Sequence, residues 1–88
     1  METRELIFEV AGEVVDLLLE KNEAYGDSAL NPAGIFAKGS AVENLSARID
    51  DKLMRIKMRG IDDNTEDTVQ DLIGYLILLK VALRIEHG

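Results

Sequence analysis

The chain contains no cysteine. That excludes a disulfide framework and zinc–thiolate sites, and it fits a reducing compartment such as the cytoplasm. Histidine is almost as scarce. The one present, His87, sits beside the C-terminus, a poor place for imidazole catalysis or metal binding. No long hydrophobic run occurs either. The longest, LIGYLILL at 72–79, is too short to cross a bilayer. No charged-then-apolar leader with a small-residue cleavage site is seen, so no signal peptide is expected. Positive charge is in deficit, with 10 Lys and Arg against 17 Asp and Glu, a net charge of −7. A free-standing duplex nucleic-acid binder normally shows the opposite balance. Segments with strand-like alternation, internal repeats and low-complexity tracts are also missing.

What is present is helical periodicity in a short chain. The 88 residues are expected to form one domain, 1–88. Apolar residues make up 47% of them, a high share for so small a core. A first helix is predicted from about 3 to about 24, with Leu6, Ile7, Val10, Val14, Leu17 and Leu18 recurring at helical spacing. Asn22 and Gly26 supply its stop. The loop that follows holds Pro32, which should start a short turn of helix carrying Ile35 and Phe36. A second helix is predicted to start at Ser40, which is followed by Glu43 in the capping-box spacing, and to end at Gly60. Leu45, Ile49, Leu53 and Ile56 form its apolar stripe.

A third helix should begin near Asn64 or Thr65, with Glu66 and Asp67 in its first turn. It then becomes apolar nearly all round, and such a helix must be buried on all sides. Two other helices can hardly enclose it. The expectation is therefore an all-α bundle of three main helices plus a short turn, assembled as a homo-oligomer through the segment from Leu72 to Leu83. Gly12 and Gly74 lie inside helices, where each costs about 1 kcal/mol against alanine. Close helix approach is the ordinary reason for such a glycine.

Three constellations could carry chemistry. Acidic residues Glu2, Glu5, Glu9, Glu13, Asp16, Glu20 and Glu23 form a stripe along the first helix. It is either a solvated face or, around Glu13, Asp16 and Glu20, a source of hard oxygen ligands for Mg²⁺. Basic residues Arg48, Lys52, Arg55 and Arg59 fall within about one sixth of the second helix's circumference. They border its apolar stripe, with Asp51 placed to orient Arg48 and Arg55. Arginine forks at a partly desolvated border suit phosphate oxygens, or they pair with the acidic stripe. Third, Asp71 precedes the apolar run and needs a partner, for which Lys52 and Arg55 are the candidates.

KNEAYGDS at Lys21 to Ser28, NPAGIF at Asn31 to Phe36, RIDDKLMR at Arg48 to Arg55 and EDTVQDLIGY at Glu66 to Tyr75 together resemble the nucleotide-modification-associated domain of the first type. That family is common in phages and their hosts. The resemblance implies a connection to nucleotides. On this reading Arg48, Lys52 and Arg55 take phosphate oxygens, Lys21 assists and Asp51 orients. Tyr25 stacks on a base or ribose beside Gly26, and Asn22, Asp27 and Ser28 read polar edges. The expected partner is a nucleotide or a cyclic or signalling derivative, bound and sequestered without a cofactor in the host cytoplasm.

More distantly, the layout resembles the all-α NTP pyrophosphohydrolases of the MazG and dimeric dUTPase type. Those hold Mg²⁺ on E-x-x-E and E-x-x-D pairs. Glu20 and Glu23 match the first pair and Asp71 the last position, but Thr68 stands where the second glutamate belongs. An enzyme of this type would draw its Mg²⁺ ligands from Glu13, Asp16, Glu20, Asp67 and Asp71. A third reading is a non-enzymatic interaction module that docks a host helix on the apolar third helix.

Overall fold

Three helices in order, α1 (Thr3–Tyr25), α2 (Ala41–Arg59) and α3 (Glu66–His87), make up the computed structural model, which describes residues 2–32, 34, 39–62 and 64–88. Among the described residues there is no strand. Ile35 and Phe36, expected in a short helical turn, lie outside the described residues.

Local chemistry sets each boundary. α1 ends where Gly26 takes the left-handed conformation, φ 60°, and donates its N–H to the Asn22 carbonyl. The Asp27 N–H donates to the same carbonyl at 3.3 Å. α2 starts in a full capping box. The Glu43 N–H donates to Ser40 Oγ at 3.2 Å, and the Ser40 N–H donates to Glu43 Oε1 at 3.4 Å. α2 ends at Gly60, φ 76°. Thr65 flanks α3 but makes no side-chain bond to that helix. Its hydroxyl instead closes the connecting turn, accepting from the Asp62 N–H at 2.8 Å.

α2 and α3 form an antiparallel hairpin. Two contacts fix its register. Lys52 Nζ meets Asp71 Oδ2 at 3.1 Å, and one turn away the Arg48 guanidinium carbon lies 5.9 Å from the centre of the Tyr75 ring. α1 crosses α3 at Gly74. A Cβ there would stand 3.2 Å from Leu18 Cδ2, so the missing side chain permits the approach. Gly12 has open space around the same position, so close approach within one chain does not account for it.

The core is thin. Val14, Leu45 and Ala82 are the buried apolar residues among those described. α3 buries only Gly74 and Ala82. Its expected burial on all sides is not met among the described residues, since Leu76, Ile77, Val81, Leu83 and Ile85 stay exposed. Leu6, Ile7, Phe8 and Val10 of α1 are exposed as well. No helix among the described residues is long and apolar enough to cross a membrane.

Candidate functional site

The angle between α1 and the hairpin opens a cleft of ≈ 830 Å³, within the usual range for small-molecule sites. Val14, Leu17, Leu18, Leu45 and Leu78 supply apolar wall from all three helices. Lys21, Asn22 and Tyr25 project into it from the last turns of α1, spaced so that one face carries all three. Asp27 and Ser28 follow from the loop, Arg48 and Asp51 from α2, and Asp71 and Tyr75 from α3. The KNEAYGDS and RIDDKLMR segments thus face one another across a single space.

The loop has an internal organiser that sequence reasoning did not identify. Asp27 adopts a positive φ of 64°, unusual for a residue with a side chain. Its carboxylate accepts the Asn22 side-chain amide on Oδ1 and the Asn31 side-chain amide on Oδ2, both at 2.9 Å. Its carbonyl accepts the N–H groups of Leu30 and Asn31. Asn22 and Asp27, expected to read ligand edges, are therefore engaged with each other. They hold the loop against the helix end. The available signal was the spacing of Asn22, Asp27 and Asn31, about one turn apart. Asp27→Ala is expected to speed amide hydrogen exchange at Asp27, Leu30 and Asn31 while α2 and α3 keep their protection. Unchanged exchange in the loop would remove the clamp.

The basic stripe divides. Arg48 lines the cleft. Lys52 is tied to Asp71, which settles the partner of that carboxylate in favour of Lys52 over Arg55. Arg55 and Arg59 line a separate hollow of ≈ 150 Å³ at the α2–α3 turn, beside Asp62, Asn64, Thr65 and Thr68. The reason is length. Arg48 and Arg59 share an angular sector, but eleven residues of helix separate them by about 16 Å along the axis. Arg55, seven residues from Arg48 and about 10 Å from it along the axis, lines the hollow at the turn. Gly26 shapes the helix end and does not line the cleft.

The acidic candidates disperse too. Glu13, Asp16, Glu20 and Asp67 are exposed and do not line the cleft. Among the described residues, no three carboxylate or imidazole groups come together to hold a metal ion. The pairing of the acidic stripe with α2 is also not made, since Lys52–Asp71 is the one ion pair among those residues. Lys21 and Arg48 have no carboxylate partner there. Tyr25 is 69% exposed and lines the cleft. Tyr75, read from sequence as part of an apolar run and as the end of the EDTVQDLIGY motif, stands against Arg48.

No family model, curated protein or solved structure matches the chain significantly.

Proposed function

We propose that the chain binds a nucleotide or nucleotide derivative in the cleft between α1 and the α2–α3 hairpin and sequesters it unchanged. The observation that carries the reading is the convergence of three features on one space. They are an apolar floor, an exposed tyrosine ring, and the cations Lys21 and Arg48 without carboxylate partners among the described residues. A base or ribose packs on Tyr25, and phosphate oxygens take the Arg48 fork and the Lys21 ammonium. Ser28 and Asp51 offer polar contacts at the rim. The resemblance to a phage family extends the proposal to a cyclic or signalling nucleotide of the host, removed from its cytoplasm as a counter to defence. The working form is a homo-oligomer through the α3 segment from Leu72 to Leu83.

A screen of the purified protein against canonical nucleotides, cyclic di- and trinucleotides and ADP-ribose derivatives tests this. Thermal shift is read with Mg²⁺ and with EDTA, and the ligand is recovered for mass spectrometry. A ligand that stabilises in EDTA and returns intact is the expected result. A ligand converted only with Mg²⁺ makes the protein a hydrolase, and a screen without any shift removes the nucleotide.

A further inference from the structure

Val69, Leu72, Leu76, Leu79 and Leu83 recur along α3 at alternating spacings of three and four, the pattern of a coiled-coil seam. This seam is not the one that packs within the chain. The inner face is carried by Asp71, Gly74, Tyr75 and Leu78, which meet α1 and α2 or line the cleft between them, and by the buried Ala82. Val69, Leu76 and Leu83 remain 37%, 48% and 39% exposed, while Leu72 and Leu79 are half-buried.

The chain as a whole presents 7059 Å² to solvent. A compact monomer of its 9.7 kDa mass would present roughly 5,100 Å². The excess, roughly 1,900 Å², is more than the ~800 Å² that a standard interface takes from each partner. The radius of gyration, 14.4 Å, is likewise above the ~12 Å expected for this length. Val69, Leu76 and Leu83 of the seam belong to that exposed surface, as do Leu6, Ile7 and Phe8 of α1, and the seam fits a partner with a matching apolar stripe. A second copy of the chain brings one.

We infer that two copies pair through this outer seam of α3, antiparallel and about a two-fold axis near Leu76. The direction follows from the helix dipoles and the acidic first turns. The first turn of α3 carries Glu66 and Asp67, and the last turn carries Arg84, Glu86 and His87. Antiparallel pairing opposes the helix dipoles and keeps the two acidic first turns apart at opposite ends of the seam. Parallel pairing stacks like charges and like dipole ends. The centre follows from the seam itself, since only a pairing centred on its midpoint, Leu76, covers all five positions in both copies. The inference deepens the assembly half of the proposed function and does not depend on the ligand.

The natural absence of cysteine makes the test direct. Leu76→Cys is expected to give a disulfide-linked dimer under mild oxidation, because the two positions meet at the axis. Val69→Cys and Leu83→Cys are each expected to stay unlinked alone and to link when mixed. Positions 69 of the two copies would stand about 21 Å apart, against a Cα separation near 6 Å for a disulfide. Linkage of Val69→Cys with itself would overturn the antiparallel arrangement. A monomeric mass for the unsubstituted chain by light scattering at micromolar concentration would overturn the pairing altogether, as would an unchanged dimer in Leu76→Asp. Circular dichroism on each variant separates lost pairing from lost fold. Ligand-induced thermal shift, read independently, keeps failure here distinct from failure of the nucleotide reading.

Discussion

Leu45→Ala is expected to remove a large share of the chain's stability. Leu45 is 2% exposed and is the largest fully buried side chain among the described residues. Emptying such a site typically costs about 2–5 kcal/mol, the lost transfer energy plus the cavity left behind. A domain of this length has only roughly 4–13 kcal/mol in total. Few neighbours can collapse into the gap, because Val14 and Ala82 are the only other buried apolar residues among those described. Urea unfolding at one fixed chain concentration checks it, with a shifted midpoint and an unchanged slope as the expected result. Met58→Ala, at a side chain 75% exposed, serves as the contrast and should stay within about 0.5 kcal/mol. Equal effects at the two positions would mean that the stabilising contacts lie between copies rather than within one. Because Leu45 also lines the cleft floor, its loss should weaken ligand binding in step with stability.

The boundaries of the helices were legible because their signals are local. Ser40 and Glu43 need only each other to cap α2, and Gly26 and Gly60 need only the absence of a Cβ to end α1 and α2. The Lys52–Asp71 pair was legible for a different reason. A carboxylate next to an apolar run requires a cation, and the basic stripe offered few. The division of that stripe between the cleft and the turn was not legible from angles alone. Periodicity reports which face a residue occupies and not how far along the axis it lies. The Asp27 clamp was hidden because it depends on two successive left-handed residues, which bring Asn22 and Asn31 onto one carboxylate. The outer seam of α3 was visible as excess hydrophobicity. Its separation from the inner face emerged only once Gly74 and Tyr75 were seen against Leu18 and Arg48.

Arg48→Ala is expected to weaken binding of the nucleotide that gives the largest shift in the screen by more than about tenfold, with the helical content unchanged. Arg48 is the one arginine that lines the cleft, and the Tyr75 ring against its guanidinium limits the conformations it samples. Arg48→Lys should recover only part of the loss, since an ammonium keeps the charge but lacks the planar fork that meets two phosphate oxygens at once. Arg55→Ala supplies the internal contrast. It removes the same charge from the same helix, yet its side chain lines the hollow at the α2–α3 turn. Long-range attraction alone would make the two substitutions alike and would fade as salt is raised beyond a Debye length of about 8 Å at physiological ionic strength. Direct contact makes them unequal at every salt concentration. Titration calorimetry on both variants at low and moderate salt therefore decides the point. A tenfold gap that persists places the phosphate beside Arg48. Equal losses that vanish together with salt would reduce the cleft's basic wall to a general field and take the phosphate away from it.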